Sequence, residues 1–358
     1  MIDNLRVGEG FMDNMVDLRS CSIEELENLS LELGEKKFRG KQLFAWIHKG
    51  IESIRNMANL PKDFKVKLNQ VSYINNMDIL KILESKLDGT RKYLIVLKDG
   101  NIIESVLMKY KHGNTVCIST QVGCKMGCSF CASTVDGVKR NLTSGEIIGQ
   151  VLTIQNDIGQ RISNVVLMGS GEPLDNYEEV IKFLETVNNP LGLNISMRNI
   201  TLSTCGIIPK LLDLAHKNLQ ITLAISLHAP NDVLRNRIMP INRVYNIEKL
   251  LDICKKYIKK TNRRVTFEYS LIRGFNDKRE HAIELSEKLK GILCHVNLIP
   301  LNEVKESGLK GSKRERVYEF QKILKKNGID VTVRRELGSD IDASCGQLRK
   351  GYIESMRK

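Results

Sequence analysis

Alternating strand-like and helix-like segments from Asn114 onward predict an α/β protein with a parallel sheet, open or barrel-like, behind a small helical N-terminal appendage. Three observations carry this. Seven short apolar runs recur: TVCIST (115–120), NVVLMG (164–169), NITLST (199–204), ITLAISLH (221–228), RVTFEYSLI (264–272), HVNLIPLN (295–302) and DVTVRREL (330–337). Between them lie segments of helical spacing, among them SGEIIGQVLTIQ, NYEEVIKFLETV, IEKLLDICKKYIKK, EHAIELSEKLKG and KRERVYEFQKILKKNG. Repeated β-α units of this kind build parallel sheets, with ligands at the C-terminal ends of the strands. The third observation is that residues 1–75 lack the alternation and read as short helices.

The N-terminal elements follow in order. Ser22-Ile-Glu-Glu25 is a capping box opening SIEELENLSLEL, and Gly34 closes that helix. FRGKQLFAWIHKG and LPKDFKVKLNQ continue with helical spacing of Leu43, Phe44, Trp46 and Ile47, then Phe64, Val66 and Leu68. KYLIVLKDGNIIESVLMKY reads as a hairpin, with Asp99-Gly100 as a two-residue turn between its strands. The chain therefore divides into a helical accessory domain over 1–89 and a larger domain over 90–358, whose barrel core spans about 114–337.

Composition narrows the class. Of 358 residues, 42% are hydrophobic and 27% charged, the balance of a globular chain. No apolar run approaches the ~20 residues of a membrane helix. The start, MIDNLRVGEGFMDNM, lacks the apolar core of a secretory signal, so a cytoplasmic location is expected. Lys+Arg 55 against Asp+Glu 42 leaves +13, which favours a polyanionic partner such as nucleic acid as much as it serves solubility. Nine cysteines in such a chain are expected to be reduced, so a cluster of them points to metal or catalysis.

That cluster is GCKMGCSFC. Cys124, Cys128 and Cys131 form Cys-x3-Cys-x2-Cys directly after the first predicted strand, with Gly123 and Gly127 marking a loop. Three thiolates in one loop can hold three corners of an iron–sulfur cubane and leave the fourth iron open. Zinc is the rival, but a structural zinc site takes four ligands and none completes it nearby.

This spacing, placed after the first strand of a β-α repeat, resembles the radical S-adenosylmethionine (SAM) superfamily. Phe130 before the last cysteine is typical of it. Further blocks narrow the likeness: VCISTQVGC, NLTSGEIIGQV, NVVLMGSGEPLDN, TLSTCGIIP, SLHAPND, RIMPINR, HVNLIP and IDASCGQL resemble, in order, the RlmN family of adenine-C2 RNA methyltransferases. The resemblance implies a partial (β/α) barrel with a β-hairpin extension and an RNA-contacting N-terminal domain. It implies a [4Fe-4S] cluster and two SAM per turnover. It also implies a monomer that acts on large-subunit ribosomal RNA and transfer RNA and draws electrons from a donor such as flavodoxin or ferredoxin.

The chemistry explains why such an enzyme uses a radical. Adenine C2 is an electron-poor amidine carbon, so it does not displace the methyl group of SAM directly. In the family one SAM methylates a cysteine, a second supplies a 5′-deoxyadenosyl radical that takes a hydrogen from that S-methyl group, and a second cysteine resolves the RNA adduct through a disulfide.

The residues that match these roles can be named. Cys345, in the polar loop Asp342-Ala-Ser-Cys-Gly-Gln347, is implied as methyl carrier. Cys117 is implied as the resolving cysteine; strand alternation puts it with Thr115 and Ser119, away from Val116 and Ile118, which should meet the helices. Glu104 matches the family's proton acceptor, against the alternative of an ordinary exposed strand glutamate. Cys124, Cys128 and Cys131 are implied cluster ligands. Gly171, Glu172, Ser203, Ser226, Leu227, His228 and Asn302 match SAM contacts at strand ends. Gly169-Ser-Gly171-Glu172-Pro173 is not a dinucleotide fingerprint, because Leu174 stands where that motif needs glycine. Ser170 and Cys205 depart from the methionine and serine usual in the family.

Cys21, Cys254 and Cys294 are expected to be structural. Lys255, Lys256, Lys259, Lys260, Arg263 and Arg264 read as a solvated helix face; Lys310, Lys313, Arg314, Arg316, Arg334, Arg335, Arg349 and Lys350 are the better RNA candidates. Two alternatives stay open at this point. One is the related adenine-C8 methyltransferase, against which Pro173 speaks because those enzymes carry alanine there. The other is a non-catalytic iron–sulfur RNA-binding or redox-sensing protein.

Overall fold

The computed structural model describes residues 15–302, 307–344 and 346–347. The N-terminal unit joins β1 (Val16–Asp17) to helices α1 (Ile23–Glu32), α2 (Phe38–Ile47) and α3 (Lys62–Val71), and β2 (Ser72–Tyr73) returns to pair in parallel with β1. Its own core gathers Leu18, Leu26, Leu43, Phe44, Ile47, Phe64 and Leu68. The capping box forms as expected: the Glu25 N–H donates to Ser22 Oγ at 3.2 Å, and the Ser22 N–H to Glu25 Oε2 at 2.6 Å. Gly34 follows the helix at φ +81°, a left-handed conformation that suits glycine.

The extension is longer than a hairpin. β3 (Asp78–Glu84), β4 (Arg91–Val96) and β5 (Ile102–Tyr110) form an antiparallel meander that joins β6 (Gly113–Cys117). β3 escapes period-2 reading because Leu80 and Ile82, on its exposed side, are as apolar as Ile79 and Leu83 on the other; a bulge lies between Ile79 and Lys81. The β4–β5 turn also differs from the expected two-residue form. The Gly100 N–H bonds to the Leu97 carbonyl at 2.9 Å, with Lys98 and Asp99 central and Gly100 at φ +75°. That is a three-residue loop ending in a glycine bulge, and it slides the pairing by one residue. Leu94 therefore faces Glu104 and Lys92 faces Val106.

Beyond β6, a small pair made of β7 (Gln121–Gly123) and β8 (Val138–Asn141) carries the cysteine loop. The chain then alternates α4 (Ser144–Ile158), β9 (Ile162–Leu167), α5 (Tyr177–Val187), β10 (Ile200–Thr204), α6 (Ile208–Lys217), β11 (Thr222–Ser226), α7 (Asp232–Ile238), α8 (Ile247–Thr261), β12 (Val265–Leu271), α9 (Arg279–Leu289), β13 (Cys294–Pro300), α10 (Arg314–Lys326) and β14 (Val331–Val333). All seven expected strands are present. The ten-stranded sheet runs β14-β13-β12-β11-β10-β9-β6-β5-β4-β3, parallel from β14 to β6 and open at both edges, the partial (β/α) barrel.

Strand alternation sorts the two faces. Val116, Val165, Leu167, Leu202, Leu223, Ile225, Phe267, Tyr269, Val296 and Leu298 join the helices in one core. The residues between them, including Cys117, Ser203, Ser226, Glu268 and Asn297, are left for the polar interior. Cys21, Cys254 and Cys294 are buried free thiols, as expected. Among the described residues no helix is long and apolar enough to cross a membrane.

Candidate cofactor and catalytic site

The cysteine loop is held by backbone. Gly123, at φ +79°, lies so close to Gly137 that a Cβ would sit 1.9 Å from the Gly137 carbonyl oxygen. The Cys124 N–H donates to that oxygen at 3.1 Å, the Cys131 N–H to the Cys128 carbonyl at 3.1 Å, and the Ser129 N–H to the Ile238 carbonyl on α7 at 3.0 Å. Cys124, Cys128 and Cys131 line one open cavity of about 900 Å³ with Gly171, Glu172, Ser203, Cys205, Ser226, His228, Glu268 and Asn302. Burial first, then the charge of neighbouring thiols, pushes Cys124 up to about 12 and Cys128 above its ordinary range. Metal binding must displace those protons.

The opposite wall is built from strand ends. Gly171 has φ +104°, and a Cβ there would meet Gln121 at 2.7 Å. The buried Gln121 amide sets the turn: its Oε1 accepts the Glu172 N–H at 2.9 Å, and its Nε2 donates to Asn141 and Asp175, both at 2.8 Å. The Glu172 carboxylate accepts from the N–H groups of Leu174 (3.0 Å) and Cys205 (2.8 Å). Burial raises its pKa, opposed by these bonds and one from Thr204. Two strands over, beyond β11, His228 sits at φ +56°. Its Nδ1 accepts the Ser270 N–H at 3.0 Å, so the ring proton belongs on Nε2. Burial, aided by Arg235, lowers His228 to about 3, and the neutral ring meets Phe130 edge-on at 4.8 Å. Leu227 is the exception among the expected contacts: its side chain is in the core and it does not line the cavity.

A second cavity, about 550 Å³, adjoins the first and shares Met168, Ile299, Asn302 and Arg334 with it. Cys117 lines it with Val106, Met108, Tyr110, Leu337, Ala343 and Ser344, which is the inward orientation expected from alternation. Cys345 lies outside the described residues, as do Arg349 and Lys350. Its neighbours are described: Ser344 lines the Cys117 cavity, while Gly346 lines the cysteine-loop cavity and accepts the Ala132 N–H at 2.7 Å.

Glu104 is only 3% exposed, so the exposed-strand alternative for it does not hold. Its Oε1 lies 3.8 Å from Nζ of Lys92, itself buried, and Lys92 also donates to the Asp342 carbonyl at 3.1 Å. Val106 pairs with Cys117 across β5–β6, which puts Glu104 on the face that Cys117 occupies. Lys92, Gln121 and Glu268 escape sequence reading. For Lys92 the missing signal is the turn, since a two-residue Asp99-Gly100 loop would place it on the opposite face.

Comparison with known proteins decides the family. Residues 118–286 match the model of the radical SAM superfamily, and residues 16–74 match that of the ribosomal RNA large subunit methyltransferase N-terminal domain. A probable dual-specificity RNA methyltransferase RlmN from Clostridium tetani is 54% identical over 97% of this chain and 99% of its own length. Its namesake from Clostridium botulinum (strain Alaska E43 / Type E3) is 57% identical over 96% of this chain and 98% of its own. The chain belongs to the RlmN family. The crystal structure of a radical SAM methyltransferase from Sphaerobacter thermophilus is 40% identical to this RlmN-family chain, with TM-score 0.89, and covers 94% of this chain and 99% of that one.

Membership of the radical SAM superfamily brings a [4Fe-4S] cluster and SAM. The residues fit both. Among the described residues no three His, Cys, Asp or Glu side chains converge on a single-ion site. A cubane takes each thiolate on a separate iron, so its ligands need only line one cavity, as these three do. Ser170 Oγ is buried beside the Gly171–Glu172 turn, which lines the cavity, and lacks a hydrogen-bond partner.

Proposed function

We propose that this chain methylates C2 of adenosine in large-subunit (23S) ribosomal RNA and in the transfer RNA anticodon loop, and that Cys345 carries the methyl group. The observation that supports this most is the adjoining pair of cavities. Cys117 lines one, Cys124, Cys128 and Cys131 line the other, and the residues on either side of Cys345 line one each.

Cys124, Cys128 and Cys131 hold the cluster, and Gly171, Glu172, Ser203, Ser226, His228 and Asn302 hold SAM. Once bound, the cluster and SAM supply a 5′-deoxyadenosyl radical. Glu172 offers its carboxylate to the SAM ammonium while two backbone N–H groups keep it oriented. Neutral His228 offers an Nε2–H donor. The apolar walls of Met168 and Ile299 exclude water between the cavities. After Cys345 has delivered its methylene to C2, Cys117 attacks the Cys345 sulfur, the S–CH2 bond to RNA breaks, and a disulfide forms. Glu104 takes the C2 proton as the adduct gives up its unpaired electron, which the cluster would accept, and the released methylene gains a proton to become the methyl group. The disulfide is then reduced before the next turnover. An electron donor such as flavodoxin or ferredoxin supplies electrons to the cluster, and the enzyme works as a cytoplasmic monomer. The N-terminal domain and the exposed cations Lys310 and Lys313 contact RNA.

Nucleoside mass spectrometry tests this. Reconstituted protein, methyl-deuterated SAM, a reductant and unmodified RNA are incubated without oxygen. Labelled 2-methyladenosine in both RNAs is expected. Labelled 8-methyladenosine, or 5′-deoxyadenosine with no methylated RNA, overturns the assignment.

A further inference from the structure

The blocks SLHAPND and RIMPINR flank a residue with no role so far, Arg235 on α7. It is 0% exposed. All five of its N–H groups are satisfied: Nε donates to the Leu227 carbonyl (3.2 Å), Nη1 to Asn242 Oδ1 (2.9 Å) and the Tyr245 carbonyl (3.4 Å), and Nη2 to the carbonyls of Cys205 (2.8 Å) and Ser226 (3.0 Å). Every acceptor is neutral. Among the described residues Arg235 forms no ion pair with a carboxylate. Asp232, on the same helix, is one amide removed; its Oδ1 accepts from Asn242 Nδ2 and the Ile247 N–H, both at 2.9 Å.

A buried guanidinium that touches no carboxylate among the described residues is unusual, because buried ions are otherwise paired directly. Where its counter-charge comes from follows from what it grips. The fork reaches the Cys205 carbonyl, and Cys205 packs with Cys128 in one apolar cluster at the cofactor cavity. Ile238, three residues along the same helix, accepts the N–H of Ser129, which follows Cys128. Three thiolates outweigh the oxidised cubane core by one negative charge, and reduction adds another.

We propose that Arg235 is a positioning residue for the cofactor site and the buried counter-cation of its cluster. Its fork ties the ends of β10 and β11, at Cys205, Ser226 and Leu227, to the helix that braces the cysteine loop. Its charge favours the more negative, reduced cluster, so it raises the reduction potential.

Two variants separate charge from hydrogen bonding. R235K keeps the cation but cannot span all five acceptors; R235Q keeps an amide donor and loses the charge. Each holoenzyme is titrated potentiometrically without oxygen, the reduced cluster is followed by electron paramagnetic resonance, and far-ultraviolet circular dichroism reports folding. The R235Q midpoint is expected to move to more negative potential while R235K stays near wild type, with SAM binding weakened in both. R235Q failing to load a cluster that R235K loads supports the same conclusion. A wild-type midpoint in R235Q, equal shifts in both variants, or failure of both to load overturns the electrostatic role.

Discussion

Replacing Lys92 by methionine removes a cation that faces both Glu104 and the loop before Cys345. The Nζ–Oε1 distance of 3.8 Å corresponds to about 4 kcal/mol of attraction at an effective dielectric near 20. Desolvation of two buried ions offsets much of that in the wild type. The variant keeps the burial cost of Glu104 without the attraction, and breaking such a pair costs about 3–5 kcal/mol. The Asp342 carbonyl also loses its donor, a charged hydrogen bond worth ~1.5–3 kcal/mol. Glu104 can limit the total by taking up a proton, but a protonated carboxyl is no longer a base. Denaturant unfolding at neutral pH should therefore show K92M destabilised by several kcal/mol. K92M/E104Q should recover part of that loss, through a coupling of ~0.5–3 kcal/mol. In the reaction, Cys345 should still acquire its methyl group, while the protein–RNA adduct persists and methylated RNA falls. A loss below about 1 kcal/mol with additive single and double variants, or methylated RNA at the wild-type rate, refutes the reasoning.

Other outcomes follow from the same site. G171A puts a side chain at φ +104° and 2.7 Å from Gln121, a strain of about 1–3 kcal/mol; calorimetry should show SAM binding weakened roughly tenfold or more. His48 and His228 are both lowered to about 3, chiefly by burial, so the unfolded chain binds more protons than the folded one between about pH 6.5 and 3. Stability should thus fall as pH drops through that window, and H48F should flatten the slope in thermal melts. SAM affinity should show no step near pH 6.5 from His228. For RNA, K310A/K313A should reduce the slope of log affinity against log salt by about 1.4, two contacts at ~0.7 each.

Much of the site is legible in one dimension because its parts are local. The cysteine spacing, the glycines that bend its loop and the Gly-Glu turn are short-range patterns, and short-range geometry follows from residue type. The orientation of Cys117 is also readable, since strand alternation allows only two faces and Val116 and Ile118 claim the helical one. What escapes depends on register and on partners distant in sequence. Glu104 reads as an ordinary strand residue until β4 is laid beside it, and a one-residue slip in the turn decides whether Lys92 shares its face. β3 is hidden because Leu80 and Ile82 are apolar on its exposed side.

The sequence by itself determined the order of the seven parallel strands, the three-cysteine loop and the family, all carried by contiguous residues. Only the tertiary structure decided that Glu104 is buried against Lys92, that His228 is neutral with its proton on Nε2, and that Arg235 lies sealed among carbonyls. Those properties depend on which groups leave water together, and long-range packing alone sets that.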